Sequence, residues 1–249
     1  MRKILEIKNL GKTFYTENGM TEAIKNITLD VYDQEFLCLV GSSGCGKSTL
    51  LNILSFLETQ TSGTFSYKKD DPTIGYMLQE DALLPWITVL DNALLGLKIK
   101  NQLTEENKNY VINLLTTYGL KDFLNKYPYQ LSGGMKQRVS LIRTLAIKPD
   151  ILLLDEAFSA LDYQSRLSVS KDVYEILKKE KKTVIMITHD IAEAISLADR
   201  VVVLSKRPCT IKNIYDINYK EKKDPISNRQ SPEFNKYYYE IWKDLDELA

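Results

Sequence analysis

Residues 36–57 read FLCLVGSSGCGKSTLLNILSFL. The pentapeptide Phe36–Val40 is continuously apolar, the pattern of a strand covered on both faces. The run from Leu50 to Leu57 reads as a helix. Between them Gly41-Ser42-Ser43-Gly44-Cys45-Gly46-Lys47-Ser48, followed by Thr49, fits G-x-x-x-x-G-K-[ST]. Glycines let the backbone bend so that successive N–H groups point inward at phosphate oxygens. A helix beginning near Lys47 adds the positive end of its dipole. Lys47 is then placed to reach β- and γ-phosphates, and the Ser48 hydroxyl to ligate Mg²⁺. A ligand-free glycine turn is the bland alternative, and the strand before and helix after argue against it.

Working outward, residues 3–10 and 24–31 read as strands, with Ile27, Leu29 and Val31 alternating against polar neighbours. Residues 63–79 hold short strand-like pieces around a polar turn, Lys68 to Pro72. From about 86 to 147 the period becomes helical. Thr104 is a cap for a helix whose Tyr110, Val111, Leu114, Leu115 and Tyr118 share a face and whose stop is Gly119. The apolar runs 151–154, 183–187 and 201–204 predict further buried strands, separated by amphipathic stretches around 164–180 and 191–199. Such alternation implies a mostly parallel sheet covered on both sides, with the helical block inserted into it. After about 205 the chain is polar and tyrosine-rich, and Phe234, Tyr237, Tyr238, Ile241, Trp242 and Leu245 recur at the spacing of a short docking helix.

The chain has 249 residues, 44% hydrophobic and 27% charged, which excludes collagen-like, coiled-coil and disordered readings. Such a length can fold without a disulfide or metal staple. Lys plus Arg and Asp plus Glu are both 33, which argues against dedicated nucleic-acid binding. No apolar run approaches the ~20 residues that span a bilayer, and the N-terminus lacks the apolar core of a secretory signal. Cys38, Cys45 and Cys209 are scattered, read as reduced thiols in a cytosolic protein. The only histidine is His189, so no histidine metal cluster or relay is available.

Ile151-Leu152-Leu153-Leu154-Asp155-Glu156 is a greasy strand ending in two carboxylates, delivered to the sheet edge where open α/β folds bind ligands. Asp155 suits the Mg²⁺ shell, and Glu156 is next in line to polarise an attacking water. Alone, the pair would read as a solvated strand end; the phosphate loop upstream changes that reading. Leu131-Ser132-Gly133-Gly134-Met135-Lys136-Gln137-Arg138 precedes a helix whose Met135, Val139, Ile142 and Ala146 share a face. Ser132 can cap it, and the glycines expose N–H groups at its positive end, a second anion site.

LSGGMKQR at 131–138, with the phosphate loop, Gln79, the 151–156 strand, Ser159-Ala160-Leu161-Asp162 and His189, resembles the ATP-binding subunit of ABC transporters over about residues 3–205. The resemblance implies a P-loop NTPase core of the α/β class, with a mostly parallel sheet, an antiparallel N-terminal β subdomain and an inserted α-helical subdomain. It makes residues 1–249 one ATPase domain, with 1–85 and 148–205 as the core, 86–147 as the helical subdomain and 206–249 as a C-terminal tail. By the same resemblance Phe14 (or Tyr15) stacks on adenine, with a core aromatic as the alternative. Gln79 contacts Mg²⁺ and the attacking water, Asp162 shapes the dimer seam, and His189 meets the γ-phosphate and orients Glu156. Gly41 to Thr49 bind nucleotide, joined by Ser132, Gly133, Gly134 and Gln137.

The implied mechanism sandwiches two ATP molecules, with Mg²⁺, in a head-to-tail homodimer, where Ser132 and the Gly133 and Gly134 amides of one protomer complete the other's site. Hydrolysis then drives solute import through two separate integral-membrane permease subunits, with an extracytoplasmic solute-binding protein and no nucleic acid. The subunit would sit peripherally on the cytoplasmic face of the cell membrane. The string QEDALLPWITVLDNALLGL resembles the nitrate/sulfonate/taurine branch, as does Leu204-Ser205-Lys206-Arg207-Pro208. Ala82 to Trp86 is the expected permease-coupling surface, or else Leu84 and Trp86 are core. Against the family pattern, Gln34 stands for a glycine, Ser42 and Ala157 for prolines, and 63–79 is short. The competing class is a non-transport ABC ATPase acting on nucleic acid or ribosomes.

Overall fold

The alternation around Ile27 belongs to a longer hairpin than the sequence predicts: β1 (Lys3–Thr16) pairs antiparallel with β2 (Gly19–Tyr32). Residues 19–22 are exposed throughout, so no burial pattern marks them as strand. The computed structural model describes residues 2–17, 19–220 and 224–246. The chain next forms β3 (Phe36–Val40), the glycine loop and α1 (Lys47–Leu54). Entry into β3 passes through Gln34 at φ 61, left-handed backbone that explains why a glycine is expected there. Its N–H is held by the Thr183 hydroxyl at 2.8 Å. The polar stretch 63–79 divides into β4 (Ser62–Tyr67), which completes the antiparallel sheet β2-β1-β4, and β5 (Ile74–Met77).

The helical block contains α2 (Val89–Ile99), α3 (Glu105–Thr117) and α4 (Gly133–Ala146). The Thr104 hydroxyl accepts from the Asn107 N–H at 3.2 Å, and Gly119 ends the segment at φ 78. Val111, Leu114 and Leu115 are buried, as their spacing requires. The chain then runs β6 (Ile151–Asp155), α5 (Tyr163–Lys179), β7 (Thr183–Thr188), α6 (Ile191–Leu197) and β8 (Arg200–Leu204). Strands β5, β6, β7, β3 and β8 lie side by side in that order, all parallel.

Successive side chains of these strands point to opposite faces. Leu37, Leu39, Leu153, Ile185 and Ile187 pack with α1 and the β1–β2 hairpin. Cys38, Val40, Leu152, Leu154, Val184 and Met186 pack with the helical block, α5 and α6. In register, Val40 faces Thr188 and Asp155 faces Ile187, so three strands end at one edge. That edge receives the glycine loop, Asp155–Glu156 and His189.

The stretch after 205 holds more structure than its polarity suggested. β9 (Ile211–Asp216) adds an antiparallel edge to β8. No apolar run signals it, because its residues are half-buried or exposed. After α7 (Pro225–Asn228), α8 (Pro232–Asp246) docks through buried Phe234 and Ile241, leaving Trp242 and Tyr238 exposed. Among the described residues no helix is long and apolar enough to cross a membrane.

Candidate functional site

The glycine loop leaves the carboxyl end of β3 and turns into α1 through Gly44 at φ 73 and Gly46 at φ 129. A Cβ on Gly46 would lie 2.9 Å from the Ala23 carbonyl oxygen and 3.2 Å from Cys209 Cβ, so glycine alone lets the loop pack here. Lys47 is 4% exposed, and its Nζ donates to the carbonyls of Gly41 (2.8 Å) and Ser42 (3.0 Å). An ammonium has three donors, so one remains for a phosphate oxygen. The loop opens on a cleft of about 180 Å³, lined by Ser43, Gly44, Gly46, Lys47, Ser48 and Thr49 and closed by Glu156 and Arg207.

The Ser48 hydroxyl donates to Asp155 Oδ1 at 3.3 Å, and the Tyr76 hydroxyl lies 3.2 Å from Asp155 Oδ2 and 3.0 Å from Asn52 Oδ1. Burial raises the Asp155 carboxyl above the usual aspartate value, against the lowering effect of both hydroxyls. Burial also pushes the Tyr76 phenol up, so it stays a donor. Glu156 sits at φ 44, left-handed backbone that is uncommon for a non-glycine residue. Its Oε2 lies 3.0 Å from His189 Nδ1. His189 is half-exposed, Glu156 largely covered. Gln79 Nε2 donates to the Ser159 hydroxyl (3.3 Å), which donates to the Glu156 carbonyl (2.9 Å). Gln79, Glu156 and His189 therefore form one connected set.

Ser48 and Asp155 offer hard oxygen donors, and the described residues contain no cluster of three or more His, Cys, Asp or Glu that could cage a metal. That donor set fits Mg²⁺, which is held by one or two protein oxygens together with substrate phosphates and water.

The residues read as a second anion site lie at the N-terminus of α4. Ser132 caps α4, accepting from the Met135 N–H at 3.3 Å. A Cβ on Gly134 would meet Val169 Cγ2 at 2.9 Å, and one on Gly133 would meet Leu161 Cδ2 at 3.1 Å. Gln137 is buried, and its Oε1 has no hydrogen-bond partner among the described residues. Asp162 caps α5, accepting from the Ser165 N–H at 3.0 Å. None of Ser132, Gly133, Gly134, Gln137 or Asp162 lines the phosphate cleft of the same chain. Phe14 is half-buried on β1, with Lys12 Nζ 4.8 Å from its ring centre, while Tyr15 is 77% exposed.

Several contributors escaped the sequence reading. Arg143 of α4 donates to the carbonyls of Asp81 (2.7 Å) and Ala82 (2.8 Å). Asn92 of α2, fully buried, accepts from the Leu84 N–H (2.8 Å) and donates to the carbonyls of Leu84 and Thr88. Together they clamp the segment after Gln79 to the helical block. Of that segment, Leu83 is core, Leu84 half-buried, and Trp86 is 70% exposed. Arg166 donates to the Leu161 carbonyl at 3.1 Å and pairs with Asp190 at 3.3 Å, tying the Ser159–Asp162 turn to the residue after His189. Cys45, already read as part of the glycine loop, is hydrogen-bonded to Cys209; that bond, with Lys47 nearby, holds the Cys45 thiol below the usual cysteine range. A single polar side chain inside a helix carries no pattern, so only the structure reveals these roles.

The family model described as ABC transporter matches residues 24–159. A nitrate import ATP-binding protein of Synechocystis sp. is 40% identical, over 95% of this chain and 93% of its own length. An aliphatic sulfonates import ATP-binding protein of Zymomonas mobilis is 43% identical, over 83% of this chain and 84% of its own. Among solved structures, a dimeric ATP-binding cassette in a post-hydrolysis state with ADP and Pi superposes with a TM-score of 0.74 at 30% identity, covering 87% of this chain and 100% of that one.

Proposed function

The chain belongs to the ATP-binding subunits of ABC transporters, which are ATPases, and on that premise we propose that it powers solute import as a head-to-tail homodimer. The observation that carries the reading is the single sheet edge on which Ser48 meets Asp155 and Glu156 meets His189. Phosphoryl transfer to water needs positioning and charge stabilisation more than covalent help from the protein. The loop N–H groups and Lys47 hold the β- and γ-phosphates. Glu156 accepts the proton of the attacking water, and His189 fixes the carboxylate's orientation through Nδ1. Ser48 and Asp155 would hold magnesium, which would supply positive charge to offset the negative charge of the phosphates.

Ser132, Gly133 and Gly134 lie away from the phosphate cleft of their own chain, which supports their serving a second copy. Gln79 touches the Glu156 backbone through Ser159 on one side and continues into the exposed Trp86 loop on the other. That loop is suited to carry the hydrolytic state to a permease subunit. The import direction, a nitrate-, sulfonate- or taurine-like solute, an extracytoplasmic binding protein and a peripheral place on the cytoplasmic membrane face all follow from the branch resemblance. Glu156→Gln tests the core of the reading. It should keep MgATP affinity, lose at least 100-fold in turnover, and accumulate dimer in sedimentation velocity. Normal turnover would remove Glu156 from the proton-accepting role.

A further inference from the structure

We propose that Arg207 is a phosphate-binding residue of the nucleotide cleft, a second cation sharing its lining with Lys47 that favours triphosphates over diphosphates by charge. The inference rests on the nucleotide reading of the cleft and adds a residue outside every stretch read from the sequence as nucleotide-binding. Its origin is topological. β8 lies beside β3, so the chain leaving β8 must run past the glycine loop leaving β3. It does so at three points. A Cβ on Gly41 would be 3.2 Å from Leu204 Cβ, Arg207 Nη2 donates to the Gly44 carbonyl at 2.7 Å, and a Cβ on Gly46 would be 3.2 Å from Cys209 Cβ. Residues 204–209 thus form a strap alongside residues 41–46. The Ser205 hydroxyl braces the strap by accepting from the Thr210 N–H at 2.9 Å.

Arg207 lines the cleft with the loop residues and Glu156. Its one hydrogen bond among the described residues is to the Gly44 carbonyl. A guanidinium carries five N–H donors and is always charged. Here it is fixed by a neutral carbonyl and paired with no carboxylate among the described residues, at the mouth of a cleft already lined by a lysine and by backbone N–H groups. An exposed arginine would ordinarily turn to solvent or to an acid. Two cations gathered on one cleft repel until an anion comes between them, and the stabilisation grows with that anion's charge. A nucleotide whose terminal phosphates reach Lys47 and Glu156 lies within the same lining.

The competing role is a staple, in which Arg207 merely holds the strap to Gly44. Equilibrium binding of fluorescent ADP and of a fluorescent, non-hydrolysable ATP analogue, with magnesium, separates the two. For full-length Arg207→Ala we expect about tenfold weaker binding of the triphosphate, the size of one charge-assisted contact. The diphosphate should lose less, and both losses should shrink in 0.5 M salt. Arg207→Lys, which keeps the charge but not the fork, should recover most of the triphosphate affinity. Equal losses for both nucleotides that ignore salt, or no loss, overturn the proposal. Lys47→Ala run in parallel separates the two levels of failure. If it too binds normally, the cleft is not the nucleotide site and both readings fall. If it loses binding while Arg207→Ala does not, only the role of Arg207 falls.

Discussion

Glu193 sits on α6, four positions after His189, 4% exposed and with Oε1 lacking a partner among the described residues. The groups facing it are the Thr188 hydroxyl, Asp190, Arg166 and Arg229. Burial pushes its carboxyl up to about 7, against the lowering effect of Thr188 and the two arginines. A raised carboxyl means that the folded protein holds a proton that the unfolded chain has already lost. Stability therefore falls as pH rises from the ordinary glutamate value to about 7, and the penalty is complete above that window. Glu193→Gln should remove it, gaining on the order of 2–3 kcal/mol over wild type at pH 8 and little at pH 4.5. Urea melts at the two pH values measure this, and an equal difference at both would sink the assignment. Tyr76 makes a second residue-scale case. Its hydroxyl holds Asp155 Oδ2 while Ser48 holds Oδ1, so the carboxylate is fixed from both sides. Tyr76→Phe should raise the magnesium concentration needed for half-maximal ATP hydrolysis by about tenfold, the size of one hydrogen bond to a charged group, with little change in thermal stability. An unchanged magnesium curve would show that Ser48 alone orients Asp155.

At the scale of elements, α4 and α5 meet where a side chain cannot fit. Gly134 faces Val169 Cγ2, a buried β-branched methyl that cannot rotate away, while Gly133 faces the flexible end of Leu161. Gly134→Ala should therefore cost about 1–3 kcal/mol by overpacking, and Gly133→Ala clearly less; the reverse order in denaturation midpoints would refute this packing account. Glycines flanked by a capping serine gave away the start of α4, but nothing in the sequence said why two were needed. The same division runs through the molecule. The continuously apolar β3, β6, β7 and β8 were legible because burial on both faces leaves no alternative composition. The outer half of the β1–β2 hairpin and all of β9 were not, because an exposed or half-buried edge accepts almost any residue. Motif residues declared themselves through backbone needs, as at Gly46. Arg143 bonds the carbonyls of a loop far away in sequence, while Asn92 and Arg166 bond carbonyls of the turns just before their own helices, and both depend on how the fold bends the chain there.

At the scale of the whole molecule, the proposed dimer would make the cleft and the α4 N-terminus two halves of one composite centre. A two-fold arrangement repeats each contact, so any substitution at the seam is felt twice. Ser132 is exposed and already commits its hydroxyl to the Met135 N–H, so in the proposed dimer the cap and the nucleotide contact would share one oxygen. Ser132→Ala removes the cap, at about 1 kcal/mol of chain stability, without adding bulk. Ser132→Arg also thrusts a long side chain into the space where the partner's γ-phosphate would lie. In a Glu156→Gln background, Ser132→Arg should leave single-chain MgATP affinity within about twofold, because Ser132 lies outside the cleft of its own chain. The dimer should weaken steeply: a loss of only about 1.4 kcal/mol at each of two sites multiplies to 100-fold in dissociation constant. Sedimentation velocity with saturating MgATP reads this directly, and Ser132→Ala should fall between the two. A Ser132→Arg chain that dimerised as well as its parent would mean that the nucleotide is not shared across the seam, however well each half of the site is built.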